Sequence, residues 1–152
     1  MAAGKFKLYA KAKELLATGG IDLDTDVFKI NLYTSASNAN TLSSATITQL
    51  SDITNEVAVA NGYTSGQTVT LSVSESAGTV TVDSTDPSWT ASGGSITARY
   101  AVIYDDTNAN DAPLCVCVLD TTPADVIVND GNTLTLNINA SGIFTLSGAD
   151  SD

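Results

Sequence analysis

The stretch from Ala98 to Asp120, ARYAVIYDDTNANDAPLCVCVLD, sets two apolar runs on either side of a knot of acidic and amide side chains. It also carries both cysteines of the protein. In the first run Tyr100, Val102 and Tyr104 alternate with Ala101 and Ile103, so both faces are apolar. The second run, PLCVCVLD, is apolar on both faces as well. Strands at the middle of a sheet lose their polar face. These two runs therefore predict the central pair of a β-sheet, joined by a polar hairpin loop.

The loop invites a second reading. Asp105, Asp106, Asn108, Asn110 and Asp111 offer oxygen ligands of the kind that suits a hard cation such as Ca²⁺. Counted from Asp106, the pattern D-x-N-x-N matches the front of an EF-hand loop. It then fails, because Asp111 stands where that loop needs glycine and Cys117 where it needs glutamate. The run Asp22-Leu23-Asp24-Thr25-Asp26 has the same weakness, with Val27 and Tyr33 at those two places. Asn and Asp tolerate turn geometry, so the loop reads as a hairpin connection and no metal or other cofactor is called for. Cys115 and Cys117 point to the same face of a strand with Cβ atoms about 7 Å apart. A disulfide needs about 4 Å, so they read as reduced, small apolar residues.

Outward from this centre the period of two continues. DVFKINLYTS places Phe28, Ile30 and Leu32 on one face, QTVTLSVSES places Val69, Leu71 and Val73 inward, and GTVTVDS does the same with Val80 and Val82. SITARYAVIYDD reads as one strand from Ile96 onward, and NTLTLNINA and SGIFTLSG supply the last two. Turn signals at Asn61-Gly62, Ser65-Gly66, Ala77-Gly78, Gly93-Gly94 and Asp130-Gly131 separate the runs. Residues 35–51, rich in Ser, Thr, Asn and Ala, read as a long surface connection. Only GKFKLYAKAKELLATGG has helical spacing, with Leu8, Ala12 and Leu15 on one stripe and Gly19 and Gly20 as a stop. It predicts a helix over about 5–18. The fold class is mainly β: a single-domain β-sandwich or barrel-like sandwich over 1–149, strands from 26 onward, one N-terminal amphipathic helix, and a short tail at 150–152.

Composition narrows function by exclusion. The chain of 152 residues has no histidine and a formal charge of −11. Without histidine, the familiar His-dependent serine and cysteine hydrolases are excluded. A strongly acidic chain is a poor partner for nucleic acid, whose phosphates are met chiefly by Lys and Arg. No apolar stretch reaches membrane-spanning length and no targeting leader stands out, so a soluble protein made in a cytoplasm is expected. Residues 1–20 carry +4 and −1 and the remainder +2 and −16, so Lys5, Lys7, Lys11 and Lys13 form a basic leader on an acidic body. Such a leader is either a solvated face or a docking element for an acidic surface.

Three singletons complete the candidates. Trp89, the only tryptophan, reads as a core plug or an interface anchor rather than a sugar platform. Arg99, the only arginine, lies in an apolar strand and is expected to pair with a carboxylate, plausibly at a subunit interface. Tyr63 reads as a packing residue at a turn. No local motif supports a catalytic carboxylate pair, and phosphate-binding glycine loops are absent.

NEVAVANGYTSGQTVTL, SWTASGGSITARYAVIYDDT and NINASGIFTL, with the opening KELLATGGIDLDTDVFKINLYTS, resemble a group of tailed-bacteriophage virion structural proteins. The likeness spans about residues 5–146. TSGQ departs from a usual double glycine, and CVCVLD from a GYIDFG-like strand. The resemblance implies a non-enzymatic virion component, assembled in the host cytoplasm. It leans towards a capsid decoration (cement) protein that binds the major capsid protein or other virion proteins. It also implies a homo-oligomer, a trimer favoured, with Lys5, Lys7, Lys11, Lys13, Trp89 and Arg99 as possible interface residues. The competing expectations are a tail or fibre module that recognises a host glycan through Trp89 and Tyr63, and a His-free carboxylate hydrolase.

Overall fold

The computed structural model describes residues 4–122 and 124–148; the tail expected at 150–152 lies outside them. In chain order the elements are β1 (Lys7–Leu8), α1 (Ala10–Thr18), β2 (Phe28–Tyr33), a 3-10 turn (Leu50–Asp52), β3 (Gln67–Val69), β4 (Leu71–Ser76), β5 (Thr79–Ser84) and β6 (Ser88–Thr90). There follow β7 (Ile96–Ala98), β8 (Tyr100–Asp105), β9 (Ala112–Val118), β10 (Val126–Val128), β11 (Thr133–Thr135) and β12 (Phe144–Ser147). They build a five-stranded sheet in the order β1-β9-β8-β2-β3, a three-stranded sheet β12-β5-β4, and the two-stranded ribbons β10-β7 and β11-β6. The fold is mainly β and sandwich-like, made of antiparallel sheets that do not close into a barrel, with one helix near the N-terminus.

The expected central pair is central. β8 lies between β9 and β2, and nearly every residue of β8 and β9 is buried. The β8–β9 ladder shifts after Ile103: Ile103 faces Cys115 while Tyr104 faces Pro113, so Leu114 is an extra residue. A bulge there accommodates proline, which has no N–H to give a ladder. It also leaves the Leu114 carbonyl to accept from the Tyr9 N–H at 3.1 Å. Ile30, Leu32, Ile103 and Leu114 have no exposed surface, and each such side chain stabilises the fold by about 1.5–3 kcal/mol relative to exposure.

Four expectations are revised. First, the helix begins at Ala10, not near Lys5. The open edge of β9 captures the preceding residues instead, with Lys7 opposite Val116 and Leu8 opposite Cys115. The Gly4 N–H extends the ladder to the Val118 carbonyl at 2.8 Å, so strand pairing begins well before residue 26. The stop is as expected: Gly19 adopts φ 75°, and the Gly20 N–H reaches the Leu15 carbonyl.

Second, QTVTLSVSES is not one strand. β3 ends at Val69 on the edge of the large sheet, and β4 starts at Leu71 in the small one. Val73, expected inside, is 45% exposed. Third, SITARYAVIYDD divides in the same way, with β7 paired to β10 and β8 placed in the large sheet. Arg99 is the corner, its N–H bonded to the Tyr33 carbonyl at 2.7 Å and its carbonyl to the Leu119 N–H at 3.0 Å. Strands that switch sheets in this way form the corners of sandwiches. Fourth, the connection 35–51 is only partly superficial, because Ala39 and Ile47 are fully buried.

Candidate interaction surface

The basic leader is built by the edge strand. Lys5 and Lys7 are exposed, while Phe6 and Leu8 between and beyond them are half-buried against the core. Period two therefore turns both lysines outward. Lys13 is exposed on α1, and Lys11 bonds Glu14 at 2.9 Å one helical turn on. Beside the leader lies a groove of about 660 Å³, lined by Phe6, Leu136, Ile138, Phe144 and Cys117 and also by the polar Asn137, Asn139, Ser141 and Thr145. Lys5 is on its rim, and no carboxylate lines it.

A second apolar area lies on the three-stranded sheet. The register sets Val73, Val82 and Phe144 in one row and Val80 and Leu146 in the next. Val82 is buried, but Val73 and Leu146 are 45% and 44% exposed.

The remaining singletons do not join this surface. Trp89 is 3% exposed and Tyr63 1%, with ring centroids 6.3 Å apart and tilted by 40°. The core reading of Trp89 holds; a side chain so deep is neither an anchor for a neighbour nor a stacking platform for sugar on this surface. Tyr63 does more than pack. β3 ends after pairing with Phe28 to Ile30, so the β2 edge beyond lacks a strand. The Tyr63 hydroxyl accepts from the Leu32 N–H at 3.0 Å and donates to Glu56 Oε1 at 2.7 Å. Val57 N–H covers the Leu32 carbonyl at 2.9 Å.

Arg99 is also unlike its expectation. It is half-buried and its guanidinium donates to the backbone carbonyls of Thr122 and Ala124. Among the described residues it has no carboxylate in ion-pair contact. Within the chain, backbone carbonyls take the place of the expected carboxylate as acceptors for Nη1.

The cysteines behave as small apolar residues. Both are buried and free. Burial pushes the Cys115 thiol well up and Cys117 up to about 11, which keeps them protonated and poorly nucleophilic. Burial likewise raises Tyr104 to about 12, helped by Asp106, Asp111 and Glu56.

What sequence reasoning missed is that the two acidic runs meet. β2 and β8 are antiparallel with Phe28 opposite Asp105. Asp26, two residues before Phe28, is brought into side-chain contact with Asp105. The Val27 N–H bonds Thr107 Oγ1 at 2.7 Å, the Asp106 N–H the Val27 carbonyl at 2.8 Å, and Asn108 Nδ2 the Gly20 carbonyl at 3.1 Å. Asp105 has no exposed surface. Its Oδ1 accepts from the N–H groups of Thr107 and Asn108, while its Oδ2 has no conventional hydrogen-bond donor. Two acidic runs that cap paired strands must converge, but that signal needs the register.

Among the described residues no three of Asp, Glu, Cys or His converge to hold a metal ion, and no helix is long and apolar enough to cross a membrane. No protein-family model, no curated protein and no solved structure matches the chain.

Proposed function

We propose that the protein is a non-enzymatic structural component of a tailed-phage particle, a decoration protein that binds the outer surface of the head and stabilises it. The observation that carries this reading is the pairing of an outward lysine edge, Lys5 and Lys7, with a carboxylate-free groove of mixed apolar and neutral polar lining on a chain of charge −11. A basic face without carboxylates on an acidic body is suited to an acidic protein surface. The resemblance of residues 5–146 to virion proteins supplies the partner: the major capsid protein or another virion protein, met by many copies. Each contact needs only modest free energy, because multivalency multiplies them through effective concentration. Assembly as a homo-oligomer, a trimer favoured, belongs to the same proposal, as does a virion location. The glycan-binding alternative loses its platform with the burial of Trp89 and Tyr63.

The test is where the protein sits in a cryo-EM map of purified particles. Density on the outer shell supports decoration; density in the tail or absence from particles rejects it. A Lys5→Glu/Lys7→Glu variant, altered only at exposed side chains, should occupy fewer sites on undecorated heads at equal concentration. Occupancy should also fall with salt.

A further inference from the structure

We infer that Asp26 and Asp105 share one proton between their carboxyl groups, and that this bridge fastens the α1–β2 connection to the β8–β9 hairpin where exposed aspartates are already ionised. Two carboxylates in contact cannot both carry charge without a positive partner between them. None is on hand among the described residues. Lys29, on the neighbouring strand β2, is held by Asp106 at 2.6 Å. The strand partners of Asp105 are Phe28 and Ala112, both apolar. The Thr107 and Asn108 N–H groups are spent on Oδ1. That leaves Oδ2 buried without a donor, while the Asp26 side chain contacts that of Asp105 and its own Oδ2 accepts from the Asp22 N–H at 2.7 Å. The other acids nearby add no positive charge. Asp22 turns its Oδ1 onto the Asp24 and Thr25 N–H groups, and Asp111, beside the Ala112 that pairs with Asp105, is an acid as well.

A proton completes the arrangement: the acid donates through the free oxygen and the neighbouring carboxylate accepts. Burial first, and then Asp26 by charge and side-chain contact, raise the Asp105 carboxyl, against the lowering effect of its two N–H donors. The group's folded value stands above its unfolded value. Its contribution is therefore complete below the unfolded aspartate range and is lost as pH rises through the folded value.

The test compares wild type with Asp105→Asn. The amide keeps a carbonyl for the Thr107 and Asn108 N–H groups and offers its NH₂ to Asp26, mimicking the protonated acid at every pH. Melting from about pH 4 to pH 8 should show wild type losing stability relative to the variant, by up to tenfold in the unfolding constant per pH unit until the pair ionises. A difference that stays flat overturns the shared proton. Wild-type stabilisation by millimolar Ca²⁺ or Mg²⁺ that the Asp105→Asn variant lacks also overturns it and assigns the pair to a cation. Should the variant fail to fold, ¹³C titration of wild-type carboxyls decides. An Asp105 signal that titrates above the ordinary aspartate range supports the bridge, and one that titrates within it refutes it.

Discussion

Tyr63→Phe removes one oxygen atom and leaves the ring against Trp89, so it opens no cavity. The lost hydroxyl serves two partners, the Leu32 N–H at 3.0 Å and Glu56 Oε1 at 2.7 Å. Their costs differ. Glu56 is exposed and regains water, so its share is small. Leu32 is fully buried, and β3, whose first residue Gln67 faces Ile30, does not reach it to offer a carbonyl. An orphaned buried N–H costs about 1–3 kcal/mol, so the variant should lose about 2 kcal/mol in all. For a chain of this size that lowers Tm by about 4–8 °C. Urea unfolding followed by Trp89 fluorescence measures the loss, and amide exchange at Leu32 reports the mechanism. A loss below about 0.5 kcal/mol with unchanged exchange at Leu32 would refute the account of Tyr63 as the cover of the β2 edge.

Gly62→Ala should cost much more than Gly78→Ala. Both glycines have positive φ, but a Cβ at 62 would stand 2.0 Å from the Thr90 carbonyl oxygen, whereas one at 78 meets nothing within 4 Å. Left-handed strain alone is about 1–2 kcal/mol, so equal urea midpoints for the two variants would discount the close approach. Cys115 and Cys117 should ignore an aromatic disulfide reagent at mildly alkaline pH and react at two equivalents once the chain is unfolded; rapid native labelling would contradict their burial. Asp52 accepts from the Thr48 N–H, the Thr48 hydroxyl and the Gln49 N–H, which hold its carboxyl below the usual range. Stability from this cap is present above about pH 4 and lost as pH falls through the folded value. Asp52→Asn should therefore flatten the acid limb of the melting curve, and an unchanged limb would place the acid sensitivity elsewhere.

Much of the architecture was legible because it is local. Tyr100–Asp105 and Ala112–Val118 announced a central pair through apolarity on both faces. Ala77 and Gly78, at φ 50° and 78°, form the left-handed turn their positions suggested. The sheet switches at Thr70 and Arg99 were not legible, since alternation runs through both corners without a break. The N-terminal strand was hidden by competition. Residues 5–9 carry helical spacing, but the free edge of β9 offers hydrogen bonds that a frayed first turn lacks. At the surface, the lysines could be named from charge and the groove beside them could not, because its far wall is more than 130 residues away in the chain. The meeting of Asp26 with Asp105 likewise exists only once Phe28 is set against Asp105.

The corner at Thr70 bears on how the protein would carry load. The β4–β5 ribbon joins the large sheet through that residue and through Thr85, which clasps it from both sides: the Thr85 N–H to the Thr70 carbonyl at 3.0 Å, and the Thr70 N–H to the Thr85 hydroxyl at 3.1 Å. Tension on the tip of the β4–β5 hairpin is thus divided between two strands before it reaches β3. Separating β4 from β5 at their base means opening that clasp, so the small sheet behaves as a braced arm and not a loose flap.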